Sequence, residues 1–485
     1  MKKIHTILIA NRSEIARRVI RSAHECGYNT VAICSPHDES ALFAREANTS
    51  VKLNGNTPRE SYLDIAQVLA AAKKMKADAV HPGYGFLSEN AEFSEICRKE
   101  GITFIGSTPD AINLLGDKTK ARILAGKLGV HTPSGTTVAL TSAEEAITVA
   151  NKIGYPVLLK AAAGGGGKGM RVVDREEDIA SSLERAKGEA LNAFGDDRVY
   201  VEKYISRPRH IEFQMLADKH GNVVHLGERE CSIQRRHQKL VEESPSPLMS
   251  ESLRKEMGEA AISLIREAKY DGAGTVEFLV DEHGKYYFLE VNTRLQVEHP
   301  VTEFVTGYDL VREQFSIAEG NKLSMKQSDI VMRGHSIEVR IQAEDVWSDF
   351  LPSLGTVSYV RHPGGAFVRN DSALYPGLVV SGFYDSLLSK LIVWDTTRDG
   401  AINRMKRALE EMRIAGVSTT IPFARFVTEN KTFREGKLST AFVNEEFTQE
   451  ISQKLYQDYI DKYTPAFLAA AKELNEKKSR TLFVS

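Results

Sequence analysis

Residues 275–299 read TVEFLVDEHGKYYFLEVNTRLQVEH. Two runs rich in β-branched and aromatic residues flank Asp281-Glu282-His283-Gly284, the pattern of a β-hairpin with a four-residue turn. Period-two alternation puts Glu277 on one face, and pairing across an even loop puts Phe288, Glu290 and Asn292 on that same face. Glu277 and Glu290 are then expected as diagonal neighbours, roughly 7–8 Å apart at Cβ level. Two carboxylates and an amide oxygen pointing one way repel one another without a cation, and such hard oxygen donors suit Mg²⁺. Either glutamate alone would read as the polar face of an edge hairpin. The set, between apolar Leu279, Leu289 and Val291, reads as a site. Downstream, Arg294, Gln296 and Glu298 alternate from Asn292, so an extended chain keeps all four on one side. Arg294 can grip a planar oxyanion with two parallel hydrogen bonds. Glu298 beside such an anion is a candidate general base.

Upstream, YPVLLK at 155–160 is a short apolar strand ending in Lys160, followed by AAAGGGGKGM at 161–170. A buried ammonium needs a partner, and a phosphate is a good one. Dense glycine lets backbone N–H groups approach phosphate oxygens. The loop is not a Walker A sequence, since G-x-x-x-x-G-K-[ST] is absent. Between these stretches, CSIQRRHQK at 231–239 concentrates positive charge. In an otherwise neutral chain it fits a local anion site with Lys239 as the point charge better than a nucleic-acid surface.

Further outward, the first hundred residues alternate apolar runs (Thr6–Ala10, Thr30–Cys34, Ala77–His81, Thr103–Gly106) with helical patterns such as Ser13–Cys26. This alternation predicts a parallel sheet with helices on its faces. Ligands bind outside the carboxyl ends of such strands, so the loops at 11–14 and 81–90 matter most. A helical pattern follows at 118–129, and a segment from about 132 to 205 has its own strands and helices. From Ile211 the chain reads as β-rich segments with a helix near 249–269. Residues 336–394 are again β-rich, and the tail after 447 is polar and helical in pattern.

The 485 residues carry 63 Lys+Arg against 65 Asp+Glu, a net charge of −2. That balance argues against nucleic acid as a partner, because a phosphate backbone needs a concentrated basic surface. The length suggests about three domains. No run approaches the ~18 apolar residues of a membrane span. MKKIHTILIA imitates a signal peptide, but Asn11, Arg12, Ser13 and Glu14 interrupt it. Cys26, Cys34, Cys97 and Cys231 form no CxxC pair, so a cytoplasmic protein with reduced thiols is expected.

YPVLLKAAAGGGGKG and FLEVNTRL resemble the signature segments of ATP-grasp enzymes, the carbamoyl-phosphate synthetase group included. HPGYGFLSEN at 81–90, RRHQK at 235–239, RLQVEH at 294–299 and NRSEIA at 11–16 narrow the resemblance to biotin carboxylase, from about residue 3 to about 445. The resemblance implies an α/β chain: a Rossmann-like N-terminal domain at 1–115 and an ATP-grasp domain at 116–332 with a mobile lid at about 132–205. A mixed α+β C-terminal domain at 333–447 and a helical tail at 448–485 complete it. It implies ATP contacts from Lys118, Lys160, Gly166, Gly167, Glu202, Lys203, Ile205, His210, His237 and Glu277. Glu277, Glu290 and Asn292 are similar to the ligands of Mg²⁺ (or Mn²⁺). Lys239, Arg294, Gln296 and the backbone of Val297 are similar to the bicarbonate clamp. Glu298 is similar to the base, Arg340 to the residue that stabilises the biotin enolate, and Tyr84 to a biotin-pocket residue.

Two departures stand out. Ser13 occupies a position where the family commonly has Gly, and it is expected to cap the first helix. The tail extends past the shared core. No Ala-Met-Lys-Met segment is present, so biotin is expected on a separate carrier protein, with the carboxyltransferase on another separate chain. A homodimer is the family expectation. The implied reaction is ATP- and bicarbonate-dependent carboxylation of biotin through carboxyphosphate. Two alternatives are another ATP-grasp ligase of the carbamoyl-phosphate type and a non-catalytic nucleotide-binding assembly protein.

Overall fold

Parallel pairing organises the first hundred residues of the computed structural model, which describes residues 3–136, 138–162 and 169–461. The strands are β1 (Thr6–Ile9), β2 (Asn29–Cys34), β3 (Thr49–Lys52), β4 (Ala79–His81) and β5 (Thr103–Phe104). They lie in the order β3-β2-β1-β4-β5, each pair parallel. β1, β2 and β4 are buried along nearly their whole length, as strands covered on both faces must be. The strand order reverses beside β1, so the loops leaving β1 and β4 diverge and open a crevice. Asn11 ties these loops together, its Nδ2 donating to the carbonyls of Pro82 (2.7 Å) and Tyr84 (2.8 Å).

Ser13 does not cap the helix Ser13–Glu25. The cap position is Arg12, which makes no side-chain cap bond, and Ser13 is the first helical residue with φ +61°. That left-handed conformation is the one a glycine adopts without a Cβ penalty. Several other helix starts carry a conventional side-chain cap. Asp117 accepts from the amides of Thr119 and Lys120, which fixes the first turn of the helix Lys118–Lys127.

A three-stranded antiparallel sheet follows, β7-β6-β8, from β6 (Val157–Ala161), β7 (Met170–Val173) and β8 (Val199–Lys203). Val157, Leu159, Val173, Val199 and Val201 form one face and pack on the helices Ala143–Ile153 and Ile179–Phe194. Alternation sends Leu158, Lys160 and Glu202 to the opposite face. Gly166 and Gly167 lie outside the described residues.

The largest element is an eight-stranded sheet. It contains β9 (Arg209–Ala217), β10 (Val223–Arg235), β11 (Gln238–Ser244), β12 (Gly272–Val280), β13 (Tyr286–Asn292) and β14 (His335–Gln342). The order is β13-β12-β9-β10-β11-β14, then Leu387–Asp395 and Val368–Ser372, with antiparallel pairing throughout. One sheet therefore runs from the acidic hairpin into the C-terminal region. Its C-terminal half carries a mixed aliphatic and aromatic core with the helices Arg398–Glu411 and Ile421–Glu429. The chain is helical over 449–461, where Leu455 packs on that core and the Tyr456 ring lies 5.4 Å from Trp347. Among the described residues no helix is long and apolar enough to cross a membrane, and the four cysteines are free thiols.

Candidate active site

The hairpin of β12 and β13 puts Glu277 directly opposite Glu290, closer than the diagonal placement expected from regular alternation. The reason is a register shift: Phe278 pairs with Phe288, so Leu289 is the extra residue of a bulge. The bulge reverses the facing of everything before it. Phe288, expected beside Glu290, instead packs in the core with Phe278 and Val291. Glu290 and Asn292 remain with Glu277 on the open face.

That face borders a cavity of about 340 Å³ between the three-stranded sheet and the eight-stranded sheet. Its lining includes Lys118, Lys160, Glu202, Lys203, Ile205, His210 and His237. It also includes Lys239, Glu277, Glu290, Asn292, Arg294, Gln296, Val297, Glu298 and Arg340. Tyr84 lines a second cavity of about 430 Å³ in the crevice of the parallel sheet. Gln238, Arg294, Val297 and Arg340 line both cavities and form the wall between them.

Lys239 sits among three carboxylates. Its Nζ donates to Glu212 (2.5 Å), Glu277 (3.0 Å) and Glu298 (2.7 Å), which uses all three protons. Burial opposes its charge, but Glu212, Glu277 and Glu298 outweigh burial and hold its pKa well above the ordinary lysine value. Glu277 accepts further bonds from Asn292 (2.8 Å), Gln296 (2.8 Å) and His210 (2.8 Å). Burial raises the Glu277 pKa, yet Lys239 and His210 bring it well below the usual carboxylate range. Glu290 meets Lys118 at 2.8 Å, a contact that also neutralises a lysine placed unfavourably in the first turn of its helix.

The base candidate is arranged differently from the extended reading. The strand ends at Asn292, the chain turns, and Glu298 immediately precedes the helix His299–Thr306. Arg294, Gln296, Val297 and Glu298 all reach the cavity because the backbone coils around it. Glu298 lies between Lys239 and Arg340, whose Nη2 is 3.0 Å from its second oxygen. Burial raises its pKa, but Lys239, Arg340 and Arg229 together hold it well below the carboxylate range. Arg294 donates to Glu89 (2.9 Å) and Asn292 (3.0 Å).

The basic run at 235–239 divides at a turn. Arg236 and His237 both have positive φ, as a two-residue hairpin turn between β10 and β11 requires. Arg235 and Arg236 turn outward to Asp349, at 2.6 and 2.9 Å, so they do not form the anion site with Lys239. Lys160 is 3% exposed, and among the described residues its ammonium lies 3.7 Å from Glu202 and over the Tyr200 ring. The Lys203 ammonium is held by the carbonyls of Gly154 (3.1 Å) and Tyr155 (2.9 Å).

Five residues that sequence reading passed over support this arrangement. Arg229 is fully buried and donates to Glu212, Gln214, Thr275, Gln296 and Thr302. Glu212 bridges Arg229 and Lys239. Arg122 pairs with Glu202, and Glu89 anchors Arg294. Glu242 accepts from Arg340 at 2.6 Å, and burial, opposed by Arg340, pushes its carboxyl up to about 7. A signal existed for Glu212: His210, Glu212 and Gln214 alternate with Ile211, Phe213 and Met215 in one strand.

Three family models match the chain in succession. They are the biotin carboxylase N-terminal domain (3–112), the carbamoyl-phosphate synthase L chain ATP-binding domain (117–326) and the biotin carboxylase C-terminal domain (338–445). The chain belongs to the biotin carboxylase family. A chloroplastic biotin carboxylase of Populus trichocarpa is 54% identical over 437 residues, covering 90% of this chain and 83% of that protein. The propionyl-CoA carboxylase alpha chain of Ruegeria pomeroyi is 45% identical over 463 residues, covering 91% of this chain and 68% of that protein. The biotin carboxylase domain dimer of Hydrogenobacter thermophilus 2-oxoglutarate carboxylase, solved with MgADP, ADP and bicarbonate, superimposes with a TM-score of 0.90. It is 46% identical and the match covers 92% of this chain and 98% of that one.

Proposed function

We propose that this ATP-dependent ligase performs the first half-reaction of a biotin-dependent carboxylase, joining bicarbonate-derived CO₂ to the ureido nitrogen of biotin on a separate carrier. The observation that carries this reading is the shared wall: Arg294, Val297 and Arg340 border both cavities, and Glu298 is held between Lys239 and Arg340. In the more highly charged cavity, Lys118 and Lys160 contact the nucleotide phosphates. Glu202, Lys203 and Ile205 meet the adenine, and His210, His237 and Glu277 complete the nucleotide site. Gly166 and Gly167, outside the described residues, are assigned to the same nucleotide site, and the segment at about 132–205 to its lid.

Glu277, Glu290 and Asn292 would hold Mg²⁺ or Mn²⁺. Their oxygen chemistry fits, and each acid already attracts a cation, Lys239 at 3.0 Å and Lys118 at 2.8 Å. The bound ion would supply charge compensation for the transferring phosphoryl group. Bicarbonate enters between Lys239, Arg294, Gln296 and the backbone of Val297. As the anion draws the Lys239 ammonium away from Glu298, that carboxylate loses its nearest cation and becomes the stronger base. Glu298 removes the bicarbonate proton, and the oxygen so exposed attacks the γ-phosphorus as the bond to ADP breaks. Carboxyphosphate then splits at its C–O bond into CO₂ and phosphate. Phosphate accepts the ureido N–H proton, Arg340 stabilises the resulting enolate, and the nitrogen captures CO₂. Tyr84 and Arg340 contact biotin in the second cavity.

The domains at 1–115, 116–332 and 333–447, with the tail at 448–485, follow from the same reading. Its partners are a biotin carboxyl carrier protein and a separate carboxyltransferase. A homodimer and a cytoplasmic location, the latter consistent with the free thiols, belong to it as well. Relatives of similar identity bear the names of carboxylases for different acceptors, which supports placing acceptor choice in another protein of the assembly. The deciding experiment is ATP hydrolysis by the purified chain. Bicarbonate-dependent turnover accelerated by free biotin is expected. Turnover that requires ammonia and ignores biotin would overturn the proposal.

A further inference from the structure

Lys390 lies in the strand Leu387–Asp395, has no exposed surface, and lines neither cavity. Its Nζ donates to the Val297 carbonyl at 2.7 Å. The same ammonium is 3.5 Å from the Glu14 carboxylate and 5.7 Å from the centre of the Tyr84 ring. Glu14 and Tyr84 both come from the N-terminal crevice and border the second cavity. In the sheet, Lys390 is paired directly with Arg340, so the two cations stand side by side on one face. They hold consecutive residues: Arg340 binds the Glu298 carboxylate at 3.0 Å, and Lys390 binds the carbonyl of the residue before it. No regular structure fixes this turn, because β13 ends at Asn292 and the next helix starts at His299.

The geometry points to Lys390 as a positioning residue that fixes the Val297–Glu298 turn and so sets the bicarbonate side of the site, without touching substrate. This inference rests on the proposed function. The ammonium is balanced by Glu14 and by two further buried acids, Glu338 and its own cross-strand partner Asp371, so its one hydrogen bond to a backbone carbonyl is held in a charge-compensated interior. Removing it leaves the nucleotide contacts of the three-stranded sheet intact, since none of them touches Lys390.

The test compares the unsubstituted chain with Lys390→Met and with the double variant Lys390→Met/Glu14→Gln, which also neutralises the carboxylate 3.5 Å from the ammonium. The readouts are KM for bicarbonate in ATP hydrolysis and MgADP affinity by calorimetry. The double variant is expected to raise the bicarbonate KM about tenfold with MgADP affinity kept within about twofold. Lys390→Arg, which retains a cation and donors, is expected to recover most of that loss. An unchanged bicarbonate KM overturns the inference. So does a parallel loss of MgADP affinity, which would mark a general structural role. If the unsubstituted chain shows no bicarbonate dependence, the proposed function itself fails first.

Discussion

Arg340 is the residue at which the proposal is most exposed. It borders both cavities, binds Glu298 and is held in turn by Glu242. If it stabilises the biotin enolate, Arg340→Ala should cut biotin carboxylation by about 10²–10³ while MgADP still binds, because one preorganised charge commonly contributes that much. Loss of nucleotide affinity in the calorimeter would contradict the role. Glu298→Gln should instead abolish bicarbonate-dependent hydrolysis even without biotin, which separates the two residues in a single pair of assays. Ser13 makes a different prediction. A serine at φ +61° costs about 1 kcal/mol relative to a conformation it prefers. Ser13→Gly should slow hydrogen exchange in the second turn of the helix Ser13–Glu25, where the amides first gain intrahelical partners, about fivefold, and faster exchange there would refute the strain. The departure from glycine was visible in the sequence, but its consequence was not. A serine before a helical pattern also fits a cap, and only the backbone angle distinguishes the two.

At the scale of elements, the helix Lys118–Lys127 shows how a cap serves a site. Asp117 accepts from two amides of the first turn, and Lys118 in that turn faces Glu290. Removing the cap costs about 1 kcal/mol of local helix stability, and 1.4 kcal/mol is tenfold in an equilibrium. Asp117→Ala should therefore weaken MgADP binding severalfold in calorimetry; an unchanged Kd would show that Lys118 is placed without the cap. The hairpin of β12 and β13 marks how far periodicity carries. Alternation and an even loop were enough to put Glu277, Glu290 and Asn292 together. They could not reveal the bulge at Leu289, because a bulge is set by packing against the neighbouring strand and leaves no fixed residue signature. The shared face of the three residues was legible, whereas the direct pairing of Glu277 with Glu290 and the inward facing of Phe288 were not. Similarly, the alternating residues after Asn292 suggested a strand where the chain coils, since the pull of the helix His299–Thr306 is tertiary. Arg229 was illegible for the same reason: its five partners come from separate stretches of the chain.

Across the whole molecule, buried charge joins the N-terminal crevice, the helix after Glu298 and the C-terminal sheet. Arg18 binds Glu303 (2.7 Å) and Asp309 (2.8 Å), and Arg369 binds Glu303 and Asp371 at 2.6 Å each. Burying such groups is costly unless each has a counter-charge, so removing one partner leaves the other expensive. Two acids in this interior respond to pH in opposite senses. Glu243 is held down to about 2: burial raises it, but His335 and Arg398 outweigh burial. Its contribution is complete above its unfolded value of 4.5 and is lost as pH falls through about 2. Glu14 is pushed up to about 7 by burial, with Lys390 only partly opposing. The folded chain therefore holds its proton more tightly than the unfolded chain, and stability falls as pH rises from 4.5 to about 7. Above that range the loss is constant. Glu14→Gln removes this titration while keeping the shape of the side chain. Its unfolding midpoint should therefore match the unsubstituted chain near pH 4.5 and exceed it increasingly up to about pH 7, with no further widening at pH 8. A gap that narrows with rising pH would mean that Lys390 holds Glu14 ionised more strongly than burial opposes it, and the account of this interior would have to be reversed.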